Sequence, residues 1–184
     1  MQSKVIFILI VFITTTLSLT AQKVYTKNGA ISFFSKASVE NISAENNQVM
    51  SVLTLPAGEL QFSVLIKSFH FKKSLMEEHF NENYMESSKY PKATFKGKIN
   101  DLSKVNFTTD GNYTVEVTGD LTIHGITNKT TASGTITVKS GIITATSKFK
   151  IKLADHKISI PKIVKDNIAE TVDVTVSCVY NQKI

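Results

Sequence analysis

Arginine and tryptophan are absent from this 184-residue sequence, and cysteine occurs once, as Cys178. A single cysteine excludes a disulfide within the chain, so the fold must depend on packing alone. Cys178 stands among the apolar positions of a predicted strand, which favours a buried, inert thiol over a reactive one.

The lack of arginine bears on the partners of the protein. Proteins that read nucleic acids depend on the planar, forked guanidinium group, whereas every basic residue here is a lysine and the lysines are scattered. The net charge of +6 is therefore interpreted as a solvated surface, and no nucleic-acid partner is predicted. Lysines do suffice for a weak attraction to anionic membrane surfaces.

Motifs for metal binding and catalysis are missing as well. The four histidines, His70, His79, His124 and His156, are not paired at the spacing of metal ligands, so neither a metal nor a cofactor is predicted. There is no Gly-x-Ser-x-Gly elbow, Walker loop or Gly-x-Gly-x-x-Gly stretch, and the glycines fall at turns. The sequence thus predicts a protein that is not an enzyme.

The amino-terminal segment differs from the rest of the chain. Lys4 precedes an unbroken apolar run over residues 5–13, and small residues follow up to Ala21. This layout predicts a signal peptide over residues 1–21 and one domain over residues 22–184. The run has nine residues, whereas a membrane-spanning helix needs about 20. The mature protein is therefore expected to be soluble and either periplasmic or secreted.

Alternation of apolar and polar residues dominates the remaining sequence. Over residues 113–124 the odd positions carry Tyr, Val, Val, Gly, Leu and Ile, and the even positions are polar. This period of two predicts antiparallel strands with one wet face. Similar strands are predicted over residues 31–37, 48–55, 60–71, 93–99, 130–138, 145–153 and 172–180.

Short turns are predicted between these strands, at Asn28-Gly29, Pro56-Ala57-Gly58, Asp110-Gly111-Asn112 and Ser140-Gly141. About eight strands joined by such turns leave few ways to protect the edges of a sheet. The predicted fold class is therefore all-β with one helix, in which an antiparallel β-barrel of about eight strands closes on itself.

The predicted strand over residues 60–71 is apolar on both faces, so its outer face is either covered or the strand bends. The expected cover is the one convincing helix, over residues 74–86. Ser74 and Glu77 have the spacing of a capping box, and Met76, Phe80 and Tyr84 repeat every four residues.

Two stretches of the sequence resemble the YceI family of exported lipid-binding proteins. The first runs from Met76-Glu77-Glu78-His79-Phe80 to Lys89-Tyr90-Pro91-Lys92-Ala93-Thr94-Phe95, and the second is Gly119-Asp120-Leu121-Thr122-Ile123-His124-Gly125-Ile126-Thr127. Family members commonly carry arginines before the helix histidine and near the second-last strand, and this chain has neither. No residue is therefore assigned to the head group of a ligand.

The resemblance implies a lipocalin-like barrel that encloses a tunnel for a polyisoprenoid, an isoprenoid quinone or another long apolar chain. Combined with the alternation, it assigns nine strand residues to the tunnel wall and three helix residues to its closed side. The wall residues are Phe33, Phe62, Val64, Ile66, Phe95, Leu121, Ile123, Phe149 and Ile151, and the helix residues are Met76, Phe80 and Tyr84. Thr122 and His124 stand at even positions, on the opposite face of the strand from Leu121 and Ile123, and are expected to shape the turn around Gly125.

Two other functions remain open from the sequence. The barrel interior could be filled by side chains, in which case the protein would act through its surface as a partner-binding or stress-response module. A lipid-modifying enzyme is the second alternative, with His79 and His124 as its candidate residues. The oligomeric state also stays open, with a homodimer among the options.

Overall fold

The computed structural model describes residues 22–183, and the predicted signal peptide lies outside this range. Within it, ten strands and one α-helix form: eight long strands, in agreement with the predicted number of about eight, and two strands of two residues each that the alternating pattern does not predict. The strands are β1 Lys23–Ser35, β2 Ile42–Thr54, β3 Glu59–Leu65, β4 His70–Phe71, β5 Lys92–Ile99, β6 Gly111–Ile123, β7 Ile126–Lys139, β8 Ile142–Lys152, β9 Thr171–Tyr180 and β10 Gln182–Lys183. The helix α1 spans Ser74–His79 and continues as a π-helical turn, Phe80–Tyr84.

Eight of the strands close into an antiparallel barrel. Neighbours pair in the order β1-β9-β8-β7-β6-β5-β3-β2, and β2 pairs back onto β1 to complete the circle. The two-residue strands β4 and β10 extend β2 and β1 at their ends. The predicted closed barrel, a lipocalin-like fold with one main helix, is confirmed.

Tight hairpins connect the long strands of one side of the barrel. His124 and Gly125 link β6 to β7 with φ values of 51° and 73°, and Ser140 and Gly141 link β7 to β8 with 51° and 77°. Positive φ at both central residues is typical of the two-residue type I′ turn, whose twist matches that of the strands.

The prediction of a turn at Asn28-Gly29 is wrong, because both residues lie inside β1. The register of β1 against β2 shifts on both sides of Gly29, which marks a β-bulge. A Cβ atom at Gly29 would lie 2.5 Å from the sulfur of Cys178. Glycine thus serves here to let the bent strand approach β9 closely.

The predicted strand over residues 60–71 is interrupted. β3 ends at Leu65, a 3₁₀ turn follows over Ile66–Ser68, and β4 then pairs with β2. The turn reverses the parity of the side chains, so Phe69 packs in the core although it follows Leu65 by an even number of residues. Leu65 remains 41% exposed. The expectation that the helix covers this strand is therefore wrong, and the bend explains the two-sided pattern.

The helix begins at Ser74 as predicted, but the capping box does not form. Lys73 occupies the N-cap position, and no side chain caps the helix. The carboxylate of Glu77 accepts a hydrogen bond from the backbone N–H of Phe71 instead, at 3.1 Å. This bond ties the first turn of the helix to β4.

The barrel interior differs between its two ends. The lower end is the one at which β1 begins, and it is filled by buried side chains that include Leu53, Ile99 and Tyr180. Leu102 and Phe107, from the connection between β5 and β6, pack against this core. The upper end, at which β1 stops, has a smaller buried cluster of Ile66, Met85, Leu121, Ile123 and Ile158. Space for another molecule is therefore expected in the upper half.

Candidate ligand-binding cavity

An apolar cavity of about 390 Å³ occupies the barrel. Its wall receives side chains from all eight barrel strands, from the helix and its π-helical turn, and from the segment 153–168 between β8 and β9. The wall exists because inward positions of alternating strands carry Phe, Val, Leu and Ile while the polar residues face out. Such a surface favours an apolar occupant over water.

All twelve residues that the sequence assigns to the tunnel, nine in its wall and three on its closed side, line this cavity. They are Phe33, Phe62, Val64, Ile66, Met76, Phe80, Tyr84, Phe95, Leu121, Ile123, Phe149 and Ile151. Ile66 lies one residue beyond the end of β3 and still faces inward, since the 3₁₀ turn starts with it. Their contact with a ligand stays a prediction.

Several lining residues escaped the sequence prediction. Phe69 and Phe71 follow the bend, where the alternation no longer applies. Met85, Ile158 and Val164 lie in connecting segments without a regular period. The only signal for these three was their apolar character, which does not by itself show which way a loop residue points.

An aromatic cluster closes the cavity beneath the helix. Phe80 contacts three rings, with centroid distances of 5.6 Å to Phe33, 5.6 Å to Phe69 and 5.1 Å to Phe71. These separations lie within the attractive range for aromatic pairs. The π-helical turn that carries Phe80 is thereby fixed to β1 and β4.

Polar groups are sparse in the cavity wall. The hydroxyl of Ser35 is already engaged, since it accepts a hydrogen bond of 2.9 Å from the N–H of Ala169. His79 is exposed at the margin of the cavity, and burial raises the pKa of Tyr84 above its ordinary value. Within residues 22–183, no group of three or more His, Cys, Asp or Glu side chains is placed to hold a metal ion. The arrangement is suited to holding an apolar molecule.

A hydrogen-bonded network lies outside the cavity at its upper end. Nε2 of His124 is 2.7 Å from a carboxylate oxygen of Glu86, and Nδ1 is 3.2 Å from the carbonyl oxygen of His156. Nδ1 of His156 is in turn 3.2 Å from the carbonyl oxygen of Ile126. His124 thus positions the turn between β6 and β7, as its parity predicts.

The thiol of Cys178 has no exposed surface and lies beneath the bulge of β1. Burial raises the pKa of this thiol to about 12. Nearby, the hydroxyl groups of Tyr180 and Ser51 are hydrogen-bonded at 2.7 Å in the core, and burial raises the pKa of Tyr180 above its ordinary value. Both groups belong to the solid lower end and are not part of the cavity wall.

No helix within the described range is both long and apolar enough to cross a membrane.

Comparison with known proteins identifies the same architecture elsewhere. A family model described as the YceI-like domain matches residues 13–180. No protein among curated sequences matches significantly. A solved polyisoprenoid binding domain from Saccharophagus degradans, described as implicated in plant cell wall breakdown, superposes with a TM-score of 0.74 at 19% identity, covering 87% of this chain and 97% of that one.

Two further solved structures are similar. BcnA of Burkholderia cenocepacia has a TM-score of 0.65 at 18% identity, covering 83% of this chain and 96% of its own. The YceI protein of Campylobacter jejuni has a TM-score of 0.56 at 18% identity, with both chains covered completely. At such identities the likeness shows a shared fold alone.

Proposed function

Because this chain belongs to the YceI-like domain family, we propose that it binds a long apolar lipid chain in its barrel and acts as a carrier or sequestering protein. The proposed ligand is a polyisoprenoid, an isoprenoid quinone or a fatty-acyl-like molecule. The proposed role is binding and not catalysis.

The observation that carries this proposal is the apolar cavity. Its volume of about 390 Å³ lies within the range of about 300–1,000 Å³ that is typical of small-molecule sites. Each methylene group that leaves water for such a wall contributes about 0.8 kcal/mol. A hydrocarbon chain can therefore bind without a specific polar contact.

The scarcity of polar groups in the wall supports the same ligand class. A site for a polar metabolite would need buried donors and acceptors aimed inward, because an unpaired polar group loses free energy in an apolar cavity. Here the buried Ser35 hydroxyl is already bonded to Ala169, and most of the lining side chains are hydrocarbon. The name of the Saccharophagus domain, a polyisoprenoid binding domain, agrees with this choice.

We further propose that the protein is exported, with residues 1–21 as its signal peptide and residues 22–184 as the mature domain. The location would be the periplasm or the extracellular medium. An apolar chain that moves between membranes through water needs a shielding wall, which is what the barrel interior offers.

Native mass spectrometry of the protein purified from cells, with analysis of its organic extract, tests the function. A co-purifying apolar molecule, or uptake of added geranylgeraniol, is the expected result. Protein that is free of ligand and also refuses geranylgeraniol would overturn the proposal and favour a module that acts through its surface. Turnover of an added lipid that is lost on changing His79 or His124 would instead favour an enzyme.

A further inference from the structure

The barrel wall is open between β7 and β8 in its upper half. The two strands pair only from Lys139↔Ile142 to Gly134↔Ser147. Beyond that point, residues 126–133 of β7 and 148–152 of β8 have no pairing with each other. β8 stays paired with β9 as far as Lys152↔Thr171, and β7 stays paired with β6 as far as Ile126↔Ile123. The two strands therefore separate while each keeps its other neighbour. We call this opening the β7–β8 seam.

The seam has defined ends. At its lower end, the hydroxyl of Ser147 donates a hydrogen bond of 2.6 Å to the carbonyl oxygen of Ser133. At its upper end, the side-chain amide of Asn128 donates one of 2.7 Å to the carbonyl oxygen of Asp155. These bonds keep the strands from parting further. The comparable gap beside the upper part of β2 is filled by β4.

Two side chains of the cavity wall beside the seam are partly exposed. On β8 the inward side chains of Phe149 and Ile151 are partly exposed. Their direct neighbours on β9, Val174 and Val172, face the same cavity and are only 7% and 8% exposed. Phe149 and Ile151 thus form a partly accessible part of the cavity wall on the β8 side of the seam.

The β7 edge of the seam carries small or partly exposed residues. Inward positions there hold Thr130, Ala132 and Gly134, all of which line the cavity. A Cβ atom at Gly134 would lie 2.7 Å from the carbonyl oxygen of Thr146, so only glycine fits where the strands meet. Between Thr130 and Gly134, the inward positions of β7 thus carry no bulky side chain that could block the opening.

The outer rim of the seam is basic. The outward residues of β8 beside it are Lys148, Lys150 and Lys152, of which Lys150 forms an ion pair with Asp173. Unpaired strand edges tend to recruit further strands, and lysines on the edge oppose this. The lysines of the rim therefore oppose the addition of another β-strand at the seam.

We propose that the β7–β8 seam is the lateral portal through which an apolar chain enters and leaves the cavity. This inference rests on the proposed function, since a portal requires a ligand. The alternative route passes over the upper end of the barrel, between the helix and the loop joining β1 to β2, where Lys73 and Glu40 form an ion pair.

A thiol bridge across the seam tests the portal. Thr131 and Lys150 would face each other if the β7–β8 ladder continued past Gly134↔Ser147. In the double variant Thr131→Cys/Lys150→Cys, a short bismaleimide added after folding should close the opening. The release of bound cis-parinaric acid, followed by its fluorescence, should then slow by about tenfold or more, because a blocked route acts on the dissociation rate.

The matched control places the same reagent across a closed ladder. Lys150 pairs directly with Asp173, so Lys150→Cys/Asp173→Cys loses the same ion pair without spanning the seam. Its bridge should leave the release rate unchanged. Wild-type protein serves as the reagent control, since Cys178 is buried. A second variant, Ala132→Phe, narrows the seam without any reagent and should also slow release.

Three results would count against the proposal in different ways. Equal release from bridged and unbridged protein, with Ala132→Phe also unchanged, overturns the portal while the binding function stands. Slow release only after bridging Glu40→Cys/Lys73→Cys moves the route to the upper end and overturns the portal as well. Failure of wild-type protein to take up cis-parinaric acid or geranylgeraniol overturns the binding function together with the portal.

Discussion

His124 and Glu86 are joined by a contact of 2.7 Å between Nε2 and a carboxylate oxygen, on the outside of the barrel above the cavity. Nδ1 of the same ring faces the carbonyl oxygen of His156 at 3.2 Å, and the ring of Tyr90 packs edge-on at 4.7 Å. Each ring nitrogen of His124 thus faces an oxygen atom of a different segment. One side chain thereby holds together the segment after the helix, the β6–β7 turn and the segment after β8.

Replacing His124 with alanine should lower the free energy of unfolding by about 2 kcal/mol, because hydrogen bonds to charged groups each contribute about 1.5–3 kcal/mol. Urea denaturation measures the change. His70→Ala is the matched control, since the His70 side chain is 70% exposed and its partner Glu77 is 3.6 Å away. Equal effects of the two substitutions would show that the His124 network does not stabilise the fold.

Gly125→Ala should destabilise the fold more than Gly141→Ala, although both glycines have similar positive φ values. A Cβ atom at Gly125 would lie 2.5 Å from the ring of Tyr90, whereas nothing lies within 4 Å at Gly141. Backbone strain alone costs about 1–2 kcal/mol at either position. Thermal denaturation should therefore show the larger loss for Gly125→Ala, and Tyr90→Ala should remove the excess. Equal losses would mean that the contact with Tyr90 carries no energetic weight.

Phe80→Ala should destabilise the protein by about 3 kcal/mol, the lower end of the range for a core phenylalanine, since Phe80 is only partly buried. The reason is the loss of its three aromatic contacts with Phe33, Phe69 and Phe71. Leu75→Ala on the same helix is the control, because Leu75 is 59% exposed. Denaturation curves that coincide for the two variants would contradict the role of the aromatic cluster.

Phe149→Asp should abolish uptake of geranylgeraniol, because an ionised carboxylate in the apolar wall is strongly unfavourable beside a hydrocarbon chain. Lys148→Asp changes the next residue on the outer face and should keep uptake, as measured by native mass spectrometry. Circular dichroism checks that both variants fold. Retained loading in folded Phe149→Asp would show that the ligand does not contact this part of the wall.

Stability should fall above pH 9 because of Cys178. The pKa of its thiol rises from 9.0 to about 12 on folding, so the unfolded chain loses its proton first. The contribution of this thiol to the free energy of unfolding is therefore fully present below pH 9. Between pH 9 and pH 12 the free energy of unfolding falls by about 1.4 kcal/mol per pH unit, because one proton is involved. Urea denaturation from pH 8 to pH 11 should show a shallower decline for Cys178→Ala. Iodoacetamide at pH 8 should leave the native thiol unmodified.

The wall of the cavity was predictable because side chains alternate strictly along a paired strand. The nine predicted wall residues follow from the alternation within each predicted strand, and the three predicted helix residues follow from their spacing of four. All twelve line one space. The same rule fails at Asn28-Gly29 and at Ile66–Ser68, where a bulge and a bend change the direction of the side chains. Such features depend on contacts with distant strands, such as Gly29 with Cys178, which local sequence does not reveal.

The capping box and the seam show two further limits of the sequence. Glu77 has the correct spacing from Ser74, yet it bonds to Phe71 because β4 ends beside the helix. The residues on both sides of the seam alternate as well as those in closed ladders, so periodicity cannot show that β7 and β8 part. Whether a strand has a partner is a property of the whole barrel.

The filled lower end closes the cavity on one side, so the cavity is a pocket with one closed end and not a continuous tunnel. A lipid chain that enters meets the packed side chains of the lower end. Carbon atoms beyond the depth of the pocket must therefore stay in water or lie against the outside of the barrel. Affinity should then increase with each isoprene unit up to a certain length and level off. The packed lower half of the barrel would in this way determine the length of lipid that the protein prefers.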